Sequence, residues 1–209
     1  MTSAEFRHIF NVCDALWLHS GDPKTPHAKL TSGLCSNGFV DVLRVLRYTN
    51  LCEIMAGQLV GRLHQNYKGQ VDWIIGSDHA GVTLSFAVAA QLGAQHDFTE
   101  KGDNKMQIWK RFVIQPGEVV LRVEELITTT TTLRAVSEGV RVGHPHPVTF
   151  TPLSMVLVHR SSVYEFEGAP IVYMEHYDIK SWEPDECPLC ATCSKRLLPK
   201  KNWAELTGR

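Results

Sequence analysis

The chain has 209 residues, with 21 Lys and Arg against 22 Asp and Glu, a formal charge of -1 and 44% apolar residues. At roughly 150 residues per domain this suffices for one sizeable buried core, and the apolar fraction excludes a disordered chain. The near-neutral balance argues against a polyelectrolyte binder of nucleic acid; the longest uncharged apolar-leaning stretch, residues 81–94, contains Thr83, Ser85 and Gln91 and falls short of the ~20 residues that cross a bilayer.

Residues 1–5 lack the basic start and apolar run of a secretory signal, so a cytoplasmic setting with reduced cysteines is expected. Phe6, Ile9, Phe10, Cys13, Leu16 and Trp17 recur at helical spacing and predict an amphipathic helix over residues 4–18. A turn-rich segment, residues 20–26, follows it. A second helix is expected from Thr49 or Asn50, either one a suitable N-cap, toward Tyr67. Two strand-loop-helix units come next. In the first, residues 71–75 form a strand, 77–81 a loop and 82–92 a helix. In the second, a strand over 118–123 leads through 124–132 into a helix over 133–139. Further strands are expected at 154–159 and 171–177. Apolar strands alternating with helices predict an α/β fold, a parallel sheet flanked by helices with its ligands at the carboxyl ends of strands. After Trp182, Pro184, Pro188, Pro199 and three cysteines change the character of the chain. Residues 1–182 are therefore expected to form the main domain, and 183–209 a Cys-containing appendage.

The chemistry concentrates in residues 119–132, VVLRVEELITTTTT. An apolar strand delivers two carboxylates, Glu124 and Glu125, and a run of threonines opens a helix. N–H groups at a helix start together with Thr hydroxyls can surround a phosphate, while the acids can accept sugar hydroxyls or hold water around Mg2+. This pattern resembles the phosphoribosyl diphosphate signature of type I phosphoribosyltransferases. The resemblance makes Glu124 and Glu125 the acids that bind the ribose hydroxyls, and Thr128, Thr129, Thr130, Thr131 and Thr132 the loop for the 5'-phosphate. Thr130 and Thr131 stand where that signature carries glycines, and β-branched Thr tolerates positive φ poorly.

Four further segments support the resemblance, and their order along the chain is nearest to that of orotate phosphoribosyltransferases. Residues 30–41, LTSGLCSNGFVD, are similar to the segment that covers the base pocket in that family, which makes Thr31, Ser32 and Gly33 candidate base contacts; read alone, they are turn residues flanking short strands. Ser77, Asp78, His79, Ala80 and Gly81 match a loop whose N–H groups face the diphosphate, although Asp78 could simply cap a helix. Residues 99–111 are similar to a mobile lid whose cations neutralise pyrophosphate, with Lys101, Lys105, Lys110 and Arg111 available; a solvated hairpin of mixed charge is the other reading. Arg160 follows the apolar strand MVLVH, where the family binds the carboxylate of an acidic base.

The resemblance thus implies an Mg2+-dependent phosphoribosyltransferase of pyrimidine nucleotide metabolism. It would use phosphoribosyl diphosphate and a nucleobase, orotate first, as a homodimer with a small hood built from residues 20–48 and the C-terminal part. The alternative is a protein of the same fold that binds a phosphoribosyl ligand for regulation without turnover, which strain at Thr130 and Thr131 would favour. Cys187 and Cys190 have the spacing of a zinc ligand pair, and Cys193 offers a third thiolate. His176, Cys13, Cys35 and Cys52 are the candidates for a fourth ligand of a structural Zn2+; reduced, partly buried thiols are the other reading.

Overall fold

The structure is a computed structural model describing residues 1–208, the Lys105 side chain apart. It divides into two compact units, residues 45–177 with Met1, and residues 2–44 together with 178–209.

The first unit is built on a seven-stranded sheet. Its main path runs Glu165–Phe166, Ala169–His176, Ser154–His159, Val119–Ile127, Trp73–Gly76, Gln95–Phe98, with Thr149–Phe150 beside the start of Val119–Ile127. All pairings are parallel except the hairpin of the first two strands. Parallel sheets need cover on both faces, and strand alternation supplies it. Trp73 and Ile75 pack with Val120, Val136 and Val140 on the side of helix Thr131–Val142. The neighbouring Gly76 faces Gly81 and Ser85 of helix Ala80–Leu92 on the other. That helix stops at Gly93, whose φ of 67° makes the left-handed C-cap that glycine adopts at least cost. Among the described residues no helix is long and apolar enough to cross a membrane.

Strand Val119–Ile127 is four residues longer at its end than its apolar core implies. Pairing with Ser154–His159 carries the ladder through Glu124 opposite Val156 to Ile127 opposite His159. The two acids therefore sit on a rigid strand rather than in a loop.

In the second unit, helix Ser3–Val12 is opened by a capping box between Thr2 and Glu5. It ends short of the predicted Leu18. Asp14 takes φ 54°, the Ala15 N–H donates to the Phe10 carbonyl, and Leu16–Leu18 becomes a strand paired with Gly38–Val40. Apolar residues at 16 and 17 fit either period, and the strand partner decides. A four-stranded sheet follows in the order Ser181–Trp182, Cys35–Ser36, His27–Lys29, Arg196–Leu197. The outer strands lie on either side of the boundary expected after Trp182, so residues 181–197 complete the sheet begun by residues 27–36, and Trp17, Ala28, Leu197 and Leu206 share a core.

Candidate active site

Glu124 is 3% exposed, and its carboxylate accepts the Ser77 backbone N–H at 3.2 Å and the Ser77 hydroxyl at 2.7 Å. Burial pushes its pKa well above the ordinary carboxylate value; the charge of Glu125 adds to this, and the two Ser77 donors oppose it. Burial raises the neighbouring Glu125 as well, with Asp78 contributing, and Glu125 Oε2 has no hydrogen-bond partner. At the carboxyl end of the central strand the charge of Asp78 thus bears on both acids. The orphaned, buried Glu125 Oε2 is a hard oxygen donor of the kind Mg2+ takes.

The loop facing Glu124 runs from Ser77 to Gly81. His79 lies at φ 66° and ψ -109°, a conformation rarely adopted by a residue with a side chain, while that side chain is 86% exposed. Strain of this kind persists where surroundings over-determine the backbone, as they do at ligand-binding turns. Gly81 is required by close approach: a Cβ there would stand 2.8 Å from Ser77 Oγ and 3.4 Å from Glu124 Oε2.

Thr128, Thr129 and Thr130 form the bend after the strand, and Thr131 and Thr132 open helix Thr131–Val142. Thr130 is the N-cap at φ -81° and ψ 6°, and none of the five threonines has positive φ. The backbone here does not demand glycine, so β-branched residues are accommodated and the ground for a binder without turnover falls away. The Thr129 hydroxyl donates to Thr131 Oγ1 at 3.0 Å. Thr128, Thr129, Thr131 and Thr132 are exposed, beside the free N–H groups that any helix presents in its first turn.

Residues 100–108 form a hairpin, Glu100–Lys101 against Gln107–Ile108, turning through Asp103–Lys105. Lys101 is exposed on it. Lys110 and Arg111, expected at the diphosphate, are instead held by Glu100 at 2.7 and 3.1 Å. The Lys105 side chain lies outside the described residues. A residue that sequence reasoning misses joins the hairpin to the loop: Gln107 Nε2 donates to Asp78 Oδ1 at 3.0 Å, and Gln107 Oε1 accepts from Thr99 Oγ1 at 2.8 Å. A glutamine in a polar hairpin gives no signal in the sequence.

Arg160 follows strand Ser154–His159, and its N–H donates to the Ile127 carbonyl at 2.9 Å, which fixes it beside the end of the central strand. Burial lowers the pKa of its guanidinium, as desolvation of a cation must. Thr31, Ser32 and Gly33 belong to the second unit, in the turn between His27–Lys29 and Cys35–Ser36, and line a cavity there with Phe39, Leu198 and Lys200. Cys187 and Cys190 also lie in that unit, grouped with His27 and Cys35 so that all four ligand atoms are within 4.8 Å of one another, a geometry compatible with a metal ion. Cys193 does not join them: at φ 60° the chain turns it outward, and it is exposed. His176, in the first unit, contacts Tyr164 instead. Of the named fourth-ligand candidates Cys35 takes part, and His27, over 160 residues upstream of Cys190, was not foreseeable from spacing.

No family model matches the chain. The curated orotate phosphoribosyltransferase of Caldicellulosiruptor bescii is 34% identical over 165 residues, covering 78% of this chain and 83% of that protein. Its counterpart from Heliobacterium modesticaldum is 30% identical over 173 residues, 83% of this chain and 88% of that one. Among solved structures, orotate phosphoribosyltransferase from Aeropyrum pernix matches with a TM-score of 0.62 at 18% identity over 81% of this chain and 92% of its own, a likeness of fold.

Proposed function

The chain belongs to the orotate phosphoribosyltransferase family, and from that premise we propose that it transfers the ribose 5-phosphate of phosphoribosyl diphosphate to a ring nitrogen of orotate. The bond from the ribosyl C1' to the pyrophosphate oxygen breaks, the bond from C1' to the ring nitrogen forms, and that nitrogen gives up its proton. The observation that carries the reading is the acid pair Glu124 and Glu125 near the end of the central strand, with Glu125 Oε2 unsatisfied and the turn at residues 128–132 following directly.

The work of the protein is positioning and charge. Glu125 Oε2 is the acceptor for a ribose hydroxyl, and Glu124 holds the loop through the Ser77 N–H and hydroxyl, leaving the diphosphate to the N–H groups that follow Ser77. Thr128 to Thr132 receive the 5'-phosphate at the start of a 12-residue helix, where the N–H groups and the dipole favour an anion. Lys101 is the exposed lid cation for departing pyrophosphate; Lys110 and Arg111 reach it only by leaving Glu100, and the same holds of any part they take in diphosphate binding. Arg160 pairs with the carboxylate of orotate, and Thr31, Ser32 and Gly33 are the further candidates for the base. Glu124, Glu125 and Asp78 would hold Mg2+ through water, and the ion would supply charge neutralisation to the diphosphate. The active form is a homodimer, for which light scattering at twice the chain mass is the check.

The test is to incubate the purified protein with phosphoribosyl diphosphate, Mg2+ and, separately, orotate, uracil and adenine, and to follow pyrophosphate. Release that depends on orotate is expected. Binding of phosphoribosyl diphosphate with no release for any base would overturn the proposal. In the same assay Arg160→Ala should raise KM for orotate by roughly 10–100-fold, the worth of a hydrogen bond between charged groups, with a much smaller change in KM for phosphoribosyl diphosphate.

A further inference from the structure

The second unit contains four side chains that phosphoribosyl transfer does not use. Cys35 Sγ and Cys190 Sγ are 3.5 Å apart, and His27 Nε2 stands 3.4 Å from Cys190 Sγ and 3.8 Å from Cys187 Sγ. A tetrahedral zinc with bonds of about 2.3 Å to sulfur and about 2.0 Å to nitrogen separates its donors by ~3.5–3.8 Å. These three distances lie close to such edges, and all four donor atoms lie within 4.8 Å of one another. His27, Cys35 and Cys187 are buried, and Cys190 is partly so.

The proton positions point the same way. The Ser194 hydroxyl donates to the Thr25 carbonyl at 2.6 Å, so the Ser194 oxygen accepts from His27 Nδ1 at 2.8 Å. That places the imidazole hydrogen on Nδ1 and turns the bare Nε2 lone pair toward the three sulfurs, the arrangement in which an outer hydroxyl orients a ligating histidine.

We propose that His27, Cys35, Cys187 and Cys190 form a structural Cys3His zinc site that fastens the tail to the sheet of the second unit. The donor set selects the metal: three thiolates and an imidazole in tetrahedral array suit zinc, and the closed set of four leaves no open position for catalysis. Its ligands come from strand His27–Lys29, strand Cys35–Ser36 and the turn around helix Pro188–Ala191, so one ion joins segments separated by more than 150 residues. The proposal is independent of the phosphoribosyl chemistry, whose acids lie in the other unit.

The full-length protein, prepared under reducing conditions without chelator, should contain stoichiometric zinc by elemental analysis. Replacing the zinc with Co2+ should give the intense visible bands of a tetrahedral site and the near-ultraviolet charge transfer of cobalt thiolates. Cys193→Ser should keep both signatures, whereas Cys190→Ser should lose the metal. Ser194→Ala, which removes only the outer hydrogen bond, should weaken zinc binding by roughly 10–100-fold. Where Cys190→Ser does not fold, the wild-type metal content and cobalt spectrum decide. Metal-free protein with free thiols that takes up neither Zn2+ nor Co2+ would overturn the site, as would a Cys35–Cys190 disulfide in reductant or full zinc retention by a folded Cys190→Ser variant.

Discussion

Glu124 and Glu125 are costly residues for the folded chain and useful ones for its ligand. Burial raises the pKa of both, so between the ordinary carboxylate range and those raised values the folded state binds more protons than the unfolded one. Their contribution to stability is therefore greatest at low pH and is lost as pH rises through that window. Replacing both by Gln should raise the melting temperature at neutral pH and flatten that part of the profile, while turnover collapses; thermal melts across pH without ligand check the sign. The pair was legible in the sequence because two adjacent acids followed by threonines leave a local pattern. Gln107 and His27 were not, because each takes its role from a partner far along the chain, Asp78 at 29 positions and Cys190 at 163.

At the scale of elements, the Thr-rich turn is the place where sequence and structure disagree most usefully. Substituting threonines for glycines suggests strain, yet Thr130 takes an ordinary right-handed φ because the turn runs directly into a helix. Thr130→Gly and Thr131→Gly should therefore not raise activity. Each should cost roughly 0.5–1 kcal/mol through backbone entropy at the helix start, read from thermal or urea melts; a marked gain in kcat would instead reveal strain. Helix Thr131–Val142 also seats the hairpin. A Cβ on Gly139 would collide with the Gln107 carbonyl oxygen, so Gly139→Ala should push the hairpin off the helix. A loss of about 1–3 kcal/mol, as for other overpacked contacts, and faster proteolysis within residues 100–108 are expected. Most helices and strands were readable from periodicity. Residues 13–18 were not, since apolar spacing there suits both a helix and the strand that pairs with Gly38–Val40.

Over the whole molecule, the average charge of -1 conceals how charges are distributed. Arg122, 2% exposed on the central strand, lies between Phe150 and Phe166 and pairs with Glu167 at 3.2 Å, and Glu167 also binds Arg141. Strand, hairpin and helix are joined through one carboxylate. Glu167→Ala should leave a buried cation uncompensated and cost roughly 3 kcal/mol, a drop in melting temperature of roughly 6–12 °C for a chain of this size. The tail shows why the division of the chain was the hardest feature to read. Its prolines and cysteines set it apart in composition, but its strands are two residues long and exist only against residues 27–36, a pairing that no local signal announces.

The most direct measurement of the proposed activity is the rate at which orotidine 5'-monophosphate forms from phosphoribosyl diphosphate, orotate and Mg2+, with the wild-type chain and Glu125→Gln compared side by side. Wild-type turnover that falls by at least roughly 10-fold in the variant, the worth of a hydrogen bond to a charged group, is the expected result. Absence of product from the folded wild-type chain would contradict the reaction, and equal rates from the two proteins would contradict the assignment of the acid pair.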